Sequence, residues 1–129
     1  MKIQIVGLPC SGKSHAIKNY IKQNPNINYI DIKDFSGPKK ERKFKAAIQQ
    51  YEGSLLIESA CGVHIENSII VKVVRDLNEV YKSFSLRHKD LHEDYLSLLE
   101  TQIIKYDYIV YTQEEFVLVL DILLTGNDE

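Results

Sequence analysis

Three observations predict an α/β fold built on a mainly parallel sheet. Five short apolar runs punctuate the chain: Lys2 to Val6, Ile27 to Ile32, Ser54 to Glu58, Ile69 to Val74 and Asp107 to Tyr111. Segments with helical spacing of apolar residues lie between them, the alternation that packs helices onto a parallel sheet. Directly after the first run stands Gly7-Leu8-Pro9-Cys10-Ser11-Gly12-Lys13-Ser14, which completes the pattern GxxxxGK[ST] between a strand and a helix. At 129 residues the chain is expected to form one domain, 1–129, with a five-stranded sheet flanked by helices in three layers.

Each element has its own signal. The first helix keeps helical period through Ala16, Ile17, Tyr20 and Ile21 as far as Gln23. Asn24 and Pro25 then turn the chain into the second run. Asp34 to Gly37 reads as a turn, Pro38 suits a first helical turn, and Phe44, Ala47, Ile48 and Tyr51 share a face before Gly53 ends the helix. Only about ten residues, Ser59 to Ser68, join the third and fourth runs, which leaves little room for a crossover helix. Asp76 with Glu79, Asp90 with Glu93, and Thr112 with Glu115 each pair a capping residue with a glutamate three positions on. The helix expected from Gln113 to Leu124 is apolar nearly all round, so it is either deeply buried or shows a patch to a partner.

Composition excludes several classes. The hydrophobic fraction is 44%, the charged fraction 26%, and the net charge −2, which is ordinary for a globular protein and gives no basic surplus for nucleic acid. No apolar stretch reaches membrane-span length and no secretory signal is evident, so a cytoplasmic protein is expected. Cys10 and Cys61 belong to no CxxC or Cys/His array, and the four histidines lack metal-ligand spacing. The basic run Lys39, Lys40, Arg42, Lys43 and Lys45 reads as a solvated helix face, with a nucleic-acid end as the less favoured partner.

The motif dictates chemistry as well as fold. A glycine-rich turn lets successive backbone N–H groups from Gly7 to Gly12, Pro9 having none, converge on phosphate, and the following helix adds its positive end. Lys13 reaches the β- and γ-phosphates, and the Ser14 hydroxyl takes the Mg²⁺ position. All of Gly7, Leu8, Pro9, Cys10, Ser11, Gly12, Lys13 and Ser14 are therefore candidate ATP-binding residues of a P-loop NTPase fold. Asp34-Phe35-Ser36-Gly37 matches the DxxG of GTPases in letters only. It follows the second run, and no NKxD guanine motif appears.

The segment GLPCSGKSHAIKNYIKQNPNINYIDIKDF resembles the start of the polynucleotide kinase family, sharing its glycine-proline loop and its asparagine-proline turn before the second strand. More loosely, the chain resembles small kinases of the adenylate kinase and shikimate kinase group. In that group an aspartate beyond the second strand faces the acceptor hydroxyl; the resemblance implies that Asp34 or Asp31 would take this role here, with Lys33 at the family's acid position in an ungapped comparison. Glu58 ends a Walker-B-shaped run, as a glutamate ends the third strand of deoxynucleoside kinases, and it would hold a Mg²⁺-bound water or orient the acceptor. Val73-Val74-Arg75-Asp76 and the helix ending at Arg87 resemble the fourth-strand and lid segments, implying Arg75 on substrate and Arg87 on the transferring phosphoryl group.

The resemblance thus implies a kinase that uses ATP and Mg²⁺, with Lys13, Asp34, Glu58 and Arg87 as catalytic candidates. The acceptor would be a small hydroxyl or phosphate compound, among them a nucleoside, a nucleotide or a polynucleotide 5′ end. The alternative is a nucleotide-binding sensor or assembly module with little catalytic activity, partnered through its last helix.

Overall fold

Ile3 and Ile5 point to one side of the first strand and Gln4 and Val6 to the other, and all four are buried, the mark of a strand covered on both faces. The computed structural model describes residues 1–8, 11–59, 63–75, 79–80, 82, 85–86 and 105–125. Its elements run β1 (Lys2–Val6), α1 (Lys13–Gln23), β2 (Asn28–Asp31), a 3-10 turn (Ile32–Asp34), α2 (Lys40–Gln49), β3 (Leu55–Glu58), β4 (Ser68–Val73), β5 (Tyr108–Val110) and α3 (Gln113–Thr125). The sheet order is β2-β3-β1-β4-β5 and every pair is parallel. All five expected strands are present, and the sheet is the flanked parallel type that the alternation predicts.

Alternation of side chains divides the core into two layers. On one face Ile3, Ile5, Leu56, Val71, Val73 and Val110 meet Ala16, Ile17 and Tyr20 of α1 and Phe116, Leu120 and Leu123 of α3. On the other, Ile30, Leu55 and Ile57 meet Ile32, Ile65, and Phe44 and Ile48 of α2. The two helices of the first layer are cross-linked. Tyr20 and Phe116 make an edge-to-face ring contact, and the Tyr20 hydroxyl donates to Asp121 Oδ1 at 2.7 Å.

Two helix boundaries show how local chemistry acts. Thr112 caps α3 as expected: Glu115 N–H donates to Thr112 Oγ1 at 3.1 Å, and that hydroxyl lies 3.3 Å from Glu115 Oε1. α2 starts later than Pro38 implies, because Lys40 N–H closes a turn on the Gly37 carbonyl, with Gly37 at φ 92°. It also ends at Gln49, which leaves Tyr51 beyond the helix and 38% exposed. α3 is buried on one side only. Phe116, Leu120 and Leu123 are buried, while Leu118 and Ile122 face outward on the opposite side.

The short crossover also matches its length. Among the described residues from 59 to 67 there is no helix, only a turn at Glu66 and Asn67, with Asn67 at φ 60°. The helices expected from Asp76 and Asp90, and Cys61 and Gly62, lie largely or wholly outside the described residues; Val80, within them, is helical and buried. No described helix is long and apolar enough to cross a membrane.

Candidate nucleotide-binding site

In a parallel sheet of this kind the crevice forms beyond the carboxyl ends of the strands. Here β1 delivers the glycine loop, β2 delivers Asp31, β3 delivers Glu58 and β4 leads to Arg75. The register aligns Asp31 with Glu58 across β2 and β3, and Glu58 with Ile5 across β3 and β1. That insertion of β3 between β1 and β2 brings residues distant in sequence to one spot.

The loop is built for a close approach of backbone. A Cβ on Gly7 would lie 2.8 Å from both Ser11 Oγ and the Val73 carbonyl oxygen, so no side chain fits there. Gly12 caps α1 at φ 87°, in the left-handed region, and supplies no side-chain cap. The N-terminal end of α1, with its partial positive charge, thus faces the loop without a capping side chain. Ser11 is buried and its Oγ has no hydrogen-bond partner among the described residues, while its N–H donates to the Leu8 carbonyl at 3.1 Å. Pro9 and Cys10 lie outside the described residues.

Beside the loop, a polar cluster crosses from α1 to β2 and β3. Ser14 Oγ donates to Glu58 Oε2 at 2.9 Å, and Lys13 Nζ donates to the Ser59 carbonyl at 3.0 Å. Glu58 is only 2% exposed. The Tyr29 hydroxyl stands 3.1 Å from Asp31 Oδ2 and 3.3 Å from Glu58 Oε1, so its single proton serves one carboxylate at a time. Lys33 Nζ lies 3.3 Å from Glu58 Oε2, 3.5 Å from Asp31 Oδ2 and 3.4 Å from Ser14 Oγ. Asp31 also accepts the Lys33 N–H on Oδ1 at 2.9 Å and so caps the 3-10 turn.

Charge follows from this packing. Burial holds the Tyr29 phenol well above its ordinary pKa, and the negative charges of Glu58 and Asp31 push it in the same direction. Partial burial alone would lower the Lys33 ammonium, but the Glu58 and Asp31 carboxylates together outweigh it, and its pKa is raised. Lys33 therefore stays charged and counters the two acids.

Four of the expected site residues, Lys13, Ser14, Asp31 and Glu58, are brought together. Asp34 ends the 3-10 turn exposed to solvent and makes no hydrogen bond or ion pair among the described residues. Arg75 forms an i,i+4 ion pair with Glu79 at 2.7 Å. Arg87 lies outside the described residues. Sequence reasoning missed Tyr29, Lys33 as a cluster member, and Gln4. Gln4 is fully buried and donates to both Ser59 Oγ and the Val63 carbonyl at 2.7 Å, fixing the strand end whose carbonyl receives Lys13. Tyr29 had a usable signal, its i,i+2 spacing from Asp31 on a strand.

Among the described residues no cluster of three or more His, Cys, Asp or Glu side chains could hold an ion. A hydroxyl beside one carboxylate is instead the sparse oxygen set that suits Mg²⁺, which keeps waters and phosphate oxygens as its other ligands.

Strand order, glycine loop and Lys13-Ser14 geometry define a P-loop NTPase fold, the fold expected from the sequence. Solved structures agree at the level of fold. Shikimate kinase from Aquifex aeolicus superposes with a TM-score of 0.64 at 19% identity, over 99% of this chain and 98% of that one. Shikimate kinase from Acinetobacter baumannii, solved with shikimate, gives 0.64 at 11% identity, over 98% and 93%. The enzyme from Bacteroides thetaiotaomicron gives 0.60 at 14%, over 97% and 98%. No protein-family model and no curated protein matches the chain.

Proposed function

We propose that this protein binds ATP with Mg²⁺ and transfers the γ-phosphoryl group to a small hydroxyl or phosphate acceptor. The observation that carries this reading is the Ser14–Glu58 hydrogen bond beside Lys13, which joins the phosphate loop to an acid on the neighbouring strand. Kinase folds that share the whole chain's outline support it.

In this reading the amides of Gly7 to Gly12 and the α1 N-terminus cradle the β-phosphate, and Lys13 leaves the Ser59 carbonyl to reach the β- and γ-phosphates. Ser14 and Glu58 would hold Mg²⁺, the serine directly and the glutamate through a water; the ion would neutralise charge on the phosphates. Transfer breaks the bond from the γ-phosphorus to the bridging oxygen and forms one to the acceptor oxygen, whose proton goes to a carboxylate. By resemblance that carboxylate is Asp34 or Asp31, and of the two Asp31 lies in the cluster with Glu58. Asp31 orients the acceptor side through Tyr29 and Lys33, and Arg75 and Arg87 are assigned to substrate and phosphoryl oxygens by resemblance.

One observation favours the second reading, a binding module with little transfer activity: both Asp31 and Glu58 are already engaged by Lys33 and Tyr29. Calorimetric ATP binding combined with phosphoryl transfer to shikimate, sugars, nucleosides and nucleotides separates the two. The kinase reading expects transfer to at least one acceptor, with Lys13→Ala losing about 10- to 100-fold in ATP affinity, the usual worth of one charge-assisted contact. Tight binding with no transfer to any acceptor selects the module. Unchanged affinity in Lys13→Ala overturns both.

A further inference from the structure

One ammonium stands where a metal's protein ligands meet. Lys33 Nζ is within 3.3–3.5 Å of Glu58 Oε2, Ser14 Oγ and Asp31 Oδ2. The first two are the atoms assigned above to Mg²⁺ and its water. Resting on that reading of the site, we propose that Lys33 is a tethered cation that competes with Mg²⁺ for the metal position and must be displaced when Mg²⁺ enters with nucleotide.

The backbone anchors this lysine. Asp31 accepts the Lys33 N–H, and the 3-10 turn that follows β2 aims the stem back across β3 toward α1. The cluster also needs a counter-charge, because Glu58 is buried and an unpaired buried carboxylate is costly. Lys33 supplies it, its ammonium standing 3.3 Å from Glu58 Oε2 and 3.5 Å from Asp31 Oδ2.

The same lysine is able to leave. Its side chain is 65% exposed, its three contacts are long for charge-assisted hydrogen bonds, and its four-carbon stem is flexible. Coexistence is unfavourable. Glu58 Oε2 already accepts Ser14 and faces Lys33, and Glu58 Oε1 faces Tyr29, so a metal-bound water finds room on Oε2 only after the ammonium withdraws. Like charge then opposes return while the metal is bound. Lys33 therefore sets how tightly the site takes a divalent ion.

Mn²⁺ as probe tests this without reference to activity. Free Mn²⁺ is titrated by electron paramagnetic resonance into the full chain with a non-hydrolysable ATP analogue, for wild type, Lys33→Met, Lys33→Gln and Lys18→Met. Lys18 is an exposed α1 residue outside the cluster and controls for bulk charge. The proposal expects both Lys33 variants to bind Mn²⁺ about five-fold tighter or more, the effect of removing one screened unit charge at ~4 Å, with Lys18→Met within about two-fold of wild type. Unchanged or weaker Mn²⁺ affinity in a folded Lys33 variant that still binds the analogue overturns the displacement alone. Equal tightening in Lys18→Met also overturns it. Failure of wild type to bind the analogue overturns the nucleotide reading together with the inference built on it.

Discussion

Gly7 carries a tighter constraint than the motif's letters state. Its missing Cβ is what lets Ser11 Oγ and the Val73 carbonyl approach, so Gly7→Ala forces the loop away from the end of β4. The expected cost is about 1–3 kcal/mol, the range of small overpacking changes, together with lower ATP affinity. Urea denaturation and calorimetry of the same variant check both. Because Val73 O is backbone, no side-chain rotation relieves the clash. Other residues were less legible. The acids Asp31, Asp34 and Glu58 were all visible in sequence, but only the register of β2 on β3 selects Asp31 as the partner of Glu58. Asp31 is the last strand residue and points with Tyr29 toward α1, whereas Asp34 has turned into solvent. Lys33 was legible only as the residue at the family's acid position, because its place in the cluster depends on the direction of a three-residue turn, which spacing does not encode.

α3 shows what an element owes to its cap and to its two faces. Thr112 and Glu115 announced its start, and the hydroxyl does accept the Glu115 N–H. Thr112→Ala is expected to lower stability by ~1 kcal/mol, because a first-turn N–H loses its partner. The readout is a lower urea midpoint with an unchanged slope. Strand positions were equally readable, since each apolar run is short and bounded by turn residues. The start of α2 was not. Gly37 adopts a positive φ and Lys40 N–H bonds back to it, so Pro38 ends up in a turn just before the helix. Nor could periodicity say how α3 divides its apolar surface, because that depends on which face meets α1 and β5. Tyr20 and Asp121, 101 positions apart, settle it by a hydrogen bond.

The molecule as a whole should lose stability at alkaline pH. Burial and the Asp121 carboxylate raise the Tyr20 pKa, burial and the Glu58 and Asp31 carboxylates raise Tyr29, and Lys33 is raised by the same two acids. Each native group then keeps protons that the unfolded chain has begun to lose. Their contribution is complete below the ordinary phenol value of 10.0 and declines as pH rises beyond it. Thermal unfolding between pH 8 and 11 should show a falling midpoint above about pH 10, and Tyr29→Phe should flatten that fall. A wild-type midpoint that stays level would contradict the assigned shifts. Parallel order has a further effect, on when the molecule can assemble. β1, first in sequence, lies between β3 and β4, so its two buried isoleucines wait for residues 55–73 before either edge is paired. Until then a newly made chain carries an apolar strand with two open edges. Pairings this far apart in sequence form slowly, and chaperone protection would matter most during the interval before β3 slides into place.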